Sequence, residues 1–221
     1  MAWTDQLIHF IDFEGSTVSG ILEYGIVSMQ AGEIRATSTR KCCSTGRVRP
    51  EDVAVHGLDE SQVAHEAPFA GEFERFAGLR ETGPLAAHFA QAENTLLKSV
   101  WPYARKAADY ARSGHSTNEW GPWVDTGRLY PQLYASIASA KLSELIEVFQ
   151  LQADLDRVAR EHCPADRCHY HAALYDALAG ALLLRRLGTE SGIAGQSMGW
   201  LLTMSTLDPG KREAMTQGDL F

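Results

Sequence analysis

Asp12 and Glu14 stand two residues apart at the end of a short apolar run, residues 7–13, that is closed by Gly15. In a strand, side chains two apart share a face. Two carboxylates side by side on a buried strand raise each other's pKa, and burial raises both further. A divalent cation with oxygen ligands is the usual offset for that cost. A third acid, Glu93, follows His88 by five residues near a helix start, where an acid also suits the positive end of the helix dipole. A fourth, Asp176, is the one charged side chain in residues 172–184 and follows His171 by five. Asp12 and Glu14 offer cation ligands, while His171 and Asp176 can border one cleft if His171 sits at the start of the helix.

The elements that must carry these groups are legible in outline. Residues 7–13, 23–29 and 33–39 read as three strands, and Gln30-Ala31-Gly32 has the length and the glycine of a hairpin turn. Residues 84–88 and 123–125 read as further short strands. Phe69, Phe73, Phe76 and Ala77 recur at helical spacing, and residues 93–101 read as a helix with Leu96, Leu97 and Val100 inward. Helical segments follow at 129–134, 141–149, 151–162 and 172–187. Beyond Gly188 the chain is rich in Gly, Ser and Thr and ends in a polar tail. Strands first, then alternation, then helices predict an α/β fold: a mixed five-stranded sheet flanked by helices, with a helical C-terminal half. One domain over residues 1–190 and a tail over 191–221 are expected.

The order and setting of these motifs resemble the DnaQ-like 3′→5′ exonucleases, the DEDDh branch of the ribonuclease H-like fold. Ile11-Asp12-Phe13-Glu14-Gly15-Ser16, followed by Glu23-Tyr24-Gly25-Ile26, is similar to that family's first motif and second strand. Val55-His56-Gly57-Leu58-Asp59 is similar to its His-Gly-Ile segment, and Ala87-His88 to Glu93 to its second motif. Trp123-Val124-Asp125-Thr126 resembles its Asp-Thr strand, Lys141 to Leu145 its following Leu-rich helix, and His171 to Asp176 its third motif. The resemblance spans residues 7–187. It departs at the second motif, where Phe89 stands for the usual Asn and Glu93 for the usual Asp. The extra methylene of Glu93 moves its carboxylate by about 1.5 Å.

The resemblance implies two divalent ions, Mg²⁺ or Mn²⁺, held by Asp12, Glu14, Glu93 and Asp176, with Asp12 bridging. It implies His171 as the base that deprotonates the attacking water, and nucleoside 5′-monophosphates as products. Phe13, Gly15 and Ser16 are then placed against the terminal nucleotide, His56 and Leu58 against its base, and His88 within the same substrate pocket. For Phe13 a plain core position is the equal alternative. The implied partner is the 3′ end of single-stranded DNA or RNA, and the protein is a monomer or homodimer, beside a polymerase or other repair protein in one reading. The alternative is a nuclease-fold binding or accessory module that turns over weakly because of Glu93.

Other patterns have simpler readings. Cys163 and Cys168, with His162 and His169, have zinc-ligand spacing, but no second cysteine pair accompanies them. A helix end and a loop leading to His171 is the plainer reading. Arg35, Arg40, Lys41, Arg47 and Arg49 form a basic run that suits either phosphate contact or a solvated loop. The 221 residues carry 20 Lys+Arg against 28 Asp+Glu, a formal net charge of −8. That balance argues against a general nucleic-acid coat protein, though not against an enzyme that acts at strand ends. The chain has no apolar run of membrane-spanning length, and its start lacks a basic signal-peptide region. A cytoplasmic protein without membrane contact is expected.

Overall fold

In a computed structural model, residues 2–207 and residue 210 are described. Strands β1 (Ile8–Ser16), β2 (Gly20–Gln30) and β3 (Glu33–Lys41) form an antiparallel meander. Ala31 and Gly32, both at positive φ, join β2 to β3. This two-residue connection matches the twist of the strands it joins. On its other edge β1 pairs in parallel with β4 (Leu85–Ala87). That strand pairs in parallel with β7 (Val124–Asp125). The five-stranded mixed sheet has the order β3-β2-β1-β4-β7. A small separate hairpin, β5 (Ala107–Ala108) and β6 (Ser116–Thr117), lies in the connection before β7.

Alternation along β1 and β2 divides the molecule into two apolar layers. Ile8, Phe10, Val27 and Met29 face α8 (Ala173–Leu187), whose Leu174, Leu178, Leu182 and Leu183 complete the main core. Helices α5 (Thr126–Leu133), α6 (Leu142–Val148) and α7 (Gln152–His162) close around it through Leu129, Leu145 and Leu155. Ile11, Phe13, Tyr24 and Ile26 point to the other face. There they meet Phe69, α3 (Phe73–Thr82) and α4 (Gln91–Val100) in an aromatic cluster that includes Trp120. Two short helices, α1 (Pro50–His56) and α2 (Glu60–Val63), follow β3.

Two elements differ from the sequence reading. The Phe69–Ala77 stretch is not one helix. Phe69–Glu72 is a 3₁₀ turn, and α3 begins only at Phe73. Gly71 lies within the turn, and its backbone freedom weakens an α-helical start there. Phe69 still reaches the core, where its ring lies 5.1 Å from that of Phe76. After Gly188 the chain forms α9 (Ser191–Ala194) and α10 (Met198–Met204), and Met198, Leu201 and Leu202 join the main core. These apolar residues recur at i, i+3 and i+4, a helical face too short to stand out among the surrounding Gly, Ser and Thr. Of the expected tail, residues 208–221 apart from 210 lie outside the described residues. No helix among the described residues is long and apolar enough to cross a membrane.

Candidate metal centre

Three elements bring the acids together. On β1, Asp12 lies opposite Gly25 of β2, and Glu14 lies opposite Glu23. Alternation therefore aims Asp12 and Glu14 at the face covered by α8. The register shifts between Glu14 and Gly15, where φ is +127° and an added Cβ would lie 2.3 Å from the Gly20 carbonyl oxygen. Glycine is required at this bulge, which shifts the strand's register just beyond the second carboxylate.

The start of α8 sits directly on β2 at Gly25, where a Cβ would fall 2.3 Å from the Ala173 carbonyl carbon and oxygen. This close approach sets Asp176, in the first turn of α8, across from β1. The Asp176 carboxylate accepts the backbone N–H of His171 at 3.0 Å. His171 is exposed and adopts a left-handed φ of +63°, a conformation in which His is enriched among non-glycine residues.

Glu93 comes from the first turn of α4. The approach to that helix is held by Asp125, whose carboxylate accepts the backbone N–H groups of Phe89 (3.0 Å), Ala90 (3.1 Å) and Arg128 (3.2 Å). Phe89, at the family's Asn position, takes a left-handed φ of +61°, and its ring carries the Arg128 guanidinium 5.3 Å from its centroid. Asn adopts this backbone readily and Phe does not. The Asp125 bonds and the Arg128 contact hold a local conformation that costs of order 1 kcal/mol.

Ligand atoms of Glu14, His171 and Asp176 lie within 4.8 Å of one another. Asp12 and Glu93 stand outside that tight group, yet Asp12 feels the charges of Asp176, Glu14, Glu93 and Glu23. Burial, followed by these neighbours, holds the Asp12 carboxyl well above the usual carboxylate range. Burial and then Asp176 and Glu23 push Glu14 up to about 8, against the pull of Arg167. Burial raises Glu93 to about 8, with Asp125 adding to it, and raises Asp176 to about 7. One oxygen of each of two carboxylates, Glu93 Oε2 and Asp176 Oδ1, is buried with no hydrogen-bond partner. Buried, unpartnered, mutually repelling carboxylate oxygens are a donor set that hard divalent cations satisfy. The residues present therefore fit a divalent metal.

The remaining residues singled out in the sequence are placed as follows. The Phe13 ring is buried against Phe69 and Phe76, with centroids at 5.5 and 5.6 Å. Strand alternation turns it away from the acids, so its ring is core and does not face a nucleotide. Gly15 and Ser16 flank the strand end, and the Ser16 hydroxyl is engaged with that of Ser19 at 3.1 Å. Leu58 is buried with Leu22 and Val63 in a small cluster of its own, which leaves it no surface for a base. His56 is buried; its Nδ1 accepts the Leu58 N–H at 3.1 Å, while Nε2 has no partner. Both ring nitrogens of His88 are occupied, by the Thr126 hydroxyl at 2.9 Å and the Ala140 carbonyl at 2.7 Å. Burial lowers its pKa to about 4. His88 thus ties β4 to the following segments and has no free nitrogen for substrate.

The cysteine cluster forms no metal site among the described residues. The Cys168 thiol donates to the Pro164 and Ala159 carbonyls, and burial pushes the Cys163 thiol up to about 12. A cleft of about 720 Å³ lies along α4 and the segment before β7, lined by Asn94, Lys98, Arg112, Trp123 and Arg128. None of the four acids proposed as ligands lines it.

Sequence reasoning missed three supporting residues: Asp125, Glu23 and Arg167. Asp125 and Glu23 lay inside recognised motifs but had no assigned task. Arg167 lay in the loop with the cysteines. Its signal is visible only in three dimensions, as a fully engaged buried guanidinium.

No family model matches the sequence, and no curated protein matches it. Solved structures do match the fold. Exonuclease X, solved in complex with 5′-overhanging duplex DNA, superposes with a TM-score of 0.60 at 20% identity over 88% of this chain and 99% of its own. The nuclease domain of 3′hExo, a DEDDh family member bound to rAMP, gives 0.58 at 15% identity over 89% of this chain and 98% of its own. A zinc-bound complex of E. coli ExoI with single-stranded DNA gives 0.60 at 12% identity, over 85% of this chain and 41% of the other. The chain has the fold of the DnaQ-like DEDDh exonucleases.

Proposed function

We propose that the protein is a metal-dependent 3′→5′ exonuclease that hydrolyses the terminal phosphodiester of single-stranded DNA or RNA and releases nucleoside 5′-monophosphates. The observation that carries this reading is the convergence of Asp12, Glu14, Glu93 and Asp176, two of them with orphaned buried oxygens, beside an exposed histidine on this fold. Asp12, Glu14, Glu93 and Asp176 would hold Mg²⁺ or Mn²⁺. When bound, two such ions supply charge stabilisation and a nucleophilic water for in-line displacement.

The chain's own residues do the rest. His171 is exposed at the rim of the carboxylate group, with its backbone N–H held by Asp176. Its imidazole accepts the proton of the attacking water. The end of β1 at Gly15 and Ser16 would lie beside the terminal nucleotide, and the buried Nε2 of His56 is a polar atom still without a partner. A second reading is an accessory module with weak turnover. The observation in its favour is that Glu93 lies outside the tight ligand group.

One assay set decides between them, using a 3′-labelled oligonucleotide with Mg²⁺ or Mn²⁺. The wild type is expected to release mononucleotides. Asp12→Ala is expected to release none. His171→Ala is expected to lose about 10²- to 10⁴-fold in kcat while binding Mn²⁺ as the wild type does. Absence of release by the wild type with either metal, together with a gain of activity in Glu93→Asp, establishes the second reading.

A further inference from the structure

Arg167 lies in the 3₁₀ turn Ala165–Arg167, is 5% exposed, and forms hydrogen bonds with three separate stretches of chain. Its Nε and Nη2 donate to the two carboxylate oxygens of Glu23 on β2, at 3.2 and 2.6 Å. Nη1 donates to the carbonyl of His56, the last residue of α1, at 2.8 Å. Nη2 also donates to the carbonyl of His171 at 3.0 Å. Glu23, 2% exposed, in turn accepts the backbone N–H of Ala173 at 3.1 Å.

A planar guanidinium with donors in a fixed fork can span such a set of acceptors; a single ammonium on a flexible stem cannot. A buried ion pair is weak evidence for stability, because desolvation offsets most of its attraction. Its value must be sought in what it holds. Here it holds His171 from one side while Asp176 holds it from the other, so both backbone polar groups of a left-handed residue are fixed and its ring is left exposed. It also ties down the end of α1 at His56 and gives Glu23 a partner. Without one, Glu23 would face Glu14 across the strands as a further uncompensated acid.

We propose that Arg167 and Glu23 form a positioning pair that fixes the His171 imidazole beside the carboxylate site. The proposal rests on the reading of His171 as the base, and it concerns where the ring sits. Misplacing a reacting group by about 1 Å costs about 10²-fold in rate.

The test compares wild type, Arg167→Lys and the charge-free pair Glu23→Gln/Arg167→Met, reading melting temperature, Mn²⁺ affinity, KM, kcat and the Mn²⁺-induced broadening of the His171 ring resonances. Arg167→Lys is expected to bind Mn²⁺ within about twofold of the wild type and to keep KM within a few-fold. Its kcat should fall about 10²-fold, and free imidazole should restore part of the rate. The His171 broadening by Mn²⁺ should weaken, a readout that does not depend on turnover. The charge-free pair is expected to melt near the wild-type temperature yet keep the low kcat.

Wild-type broadening and wild-type kcat in either folded variant would overturn the proposal. So would a rate loss that follows weakened Mn²⁺ binding with no rescue by imidazole, or failure of both variants to fold, which would assign the pair to stability alone. A wild type that binds Mn²⁺ but hydrolyses nothing would defeat the exonuclease reading instead, and the broadening measurement would still judge the position of His171.

Discussion

Burial and mutual repulsion raise the carboxylates of the site above their ordinary range, which links their protonation to stability. Glu14, Glu93 and Asp176 are raised to about 8, 8 and 7, against unfolded values of 4.5, 4.5 and 3.8. Between those limits the folded protein binds more protons than the unfolded chain. Stability then falls with rising pH. The contribution is fully present below about pH 4 and is lost as pH climbs through 7 to 8. Metal-free protein is therefore expected to melt several degrees lower at pH 8 than at pH 5. Mg²⁺ or Mn²⁺ should raise the melting temperature more at pH 8, because only the ionised carboxylates ligate. Calorimetry or far-UV melting across that range, with and without metal, checks both slopes. A metal increment that is equal at pH 5 and pH 8 would separate the acids from metal binding.

Elements place those residues through contacts that leave no room for adjustment. The start of α8 rests on β2 at Gly25, and an alanine there puts a methyl carbon 2.3 Å from backbone atoms of Ala173. The neighbour is main chain, so the helix start itself must shift, and it carries Asp176 and the loop to His171 with it. Gly25→Ala is expected to lower the melting temperature and to cut kcat by about 10²-fold or more, with a parallel loss of Mn²⁺ affinity. Gly78→Ala, where nothing lies within 4 Å of the added atom, serves as the control and should match the wild type or exceed it slightly.

This contact also shows which features the sequence could and could not disclose. The strand meander, the placement of Asp12 and Glu14 on one face, and the apolar α8 follow from periodicity, which is local. The role of Gly25 depends on a helix nearly 150 residues downstream. The same holds for Arg167, which sits 144 residues from Glu23. Motif position points Leu58 toward substrate and leaves Phe13 between substrate and core, while their burial is set by residues outside those motifs, Phe69 and Phe76 for Phe13, Leu22 and Val63 for Leu58. His88 lost its substrate role to Thr126 and Ala140, partners that no spacing rule connects to it.

For the whole molecule, the question is how a protein of net charge −8 would hold the polyanion proposed as its substrate. The basic run before α1 is smaller in effect than its composition suggests. Arg40 is paired with Glu72 at 2.7 Å, and Lys41 lies 3.6 Å from Asp166. Arg35, Arg47 and Arg49 are exposed and form no ion pair among the described residues. Elsewhere, Lys98 is paired with Glu119 and Arg112 with Asp109. Of the basic run, Arg35, Arg47 and Arg49 are then free to meet phosphates, while ions bound among the four acids would reverse the local field at the strand end. Each phosphate neutralised on a single strand contributes about −0.7 to the slope of log affinity against log salt. The expected slope for a single-stranded oligonucleotide is therefore shallow, about −2. Arg47→Ala and Arg49→Ala should each flatten it by about 0.7 and leave kcat at saturating substrate unchanged. Binding titrations from low to moderate salt, with the four acids intact and Ca²⁺ in place of Mg²⁺ to suppress turnover, measure it directly. A slope of about −5 or steeper would require a longer phosphate track than these three side chains provide.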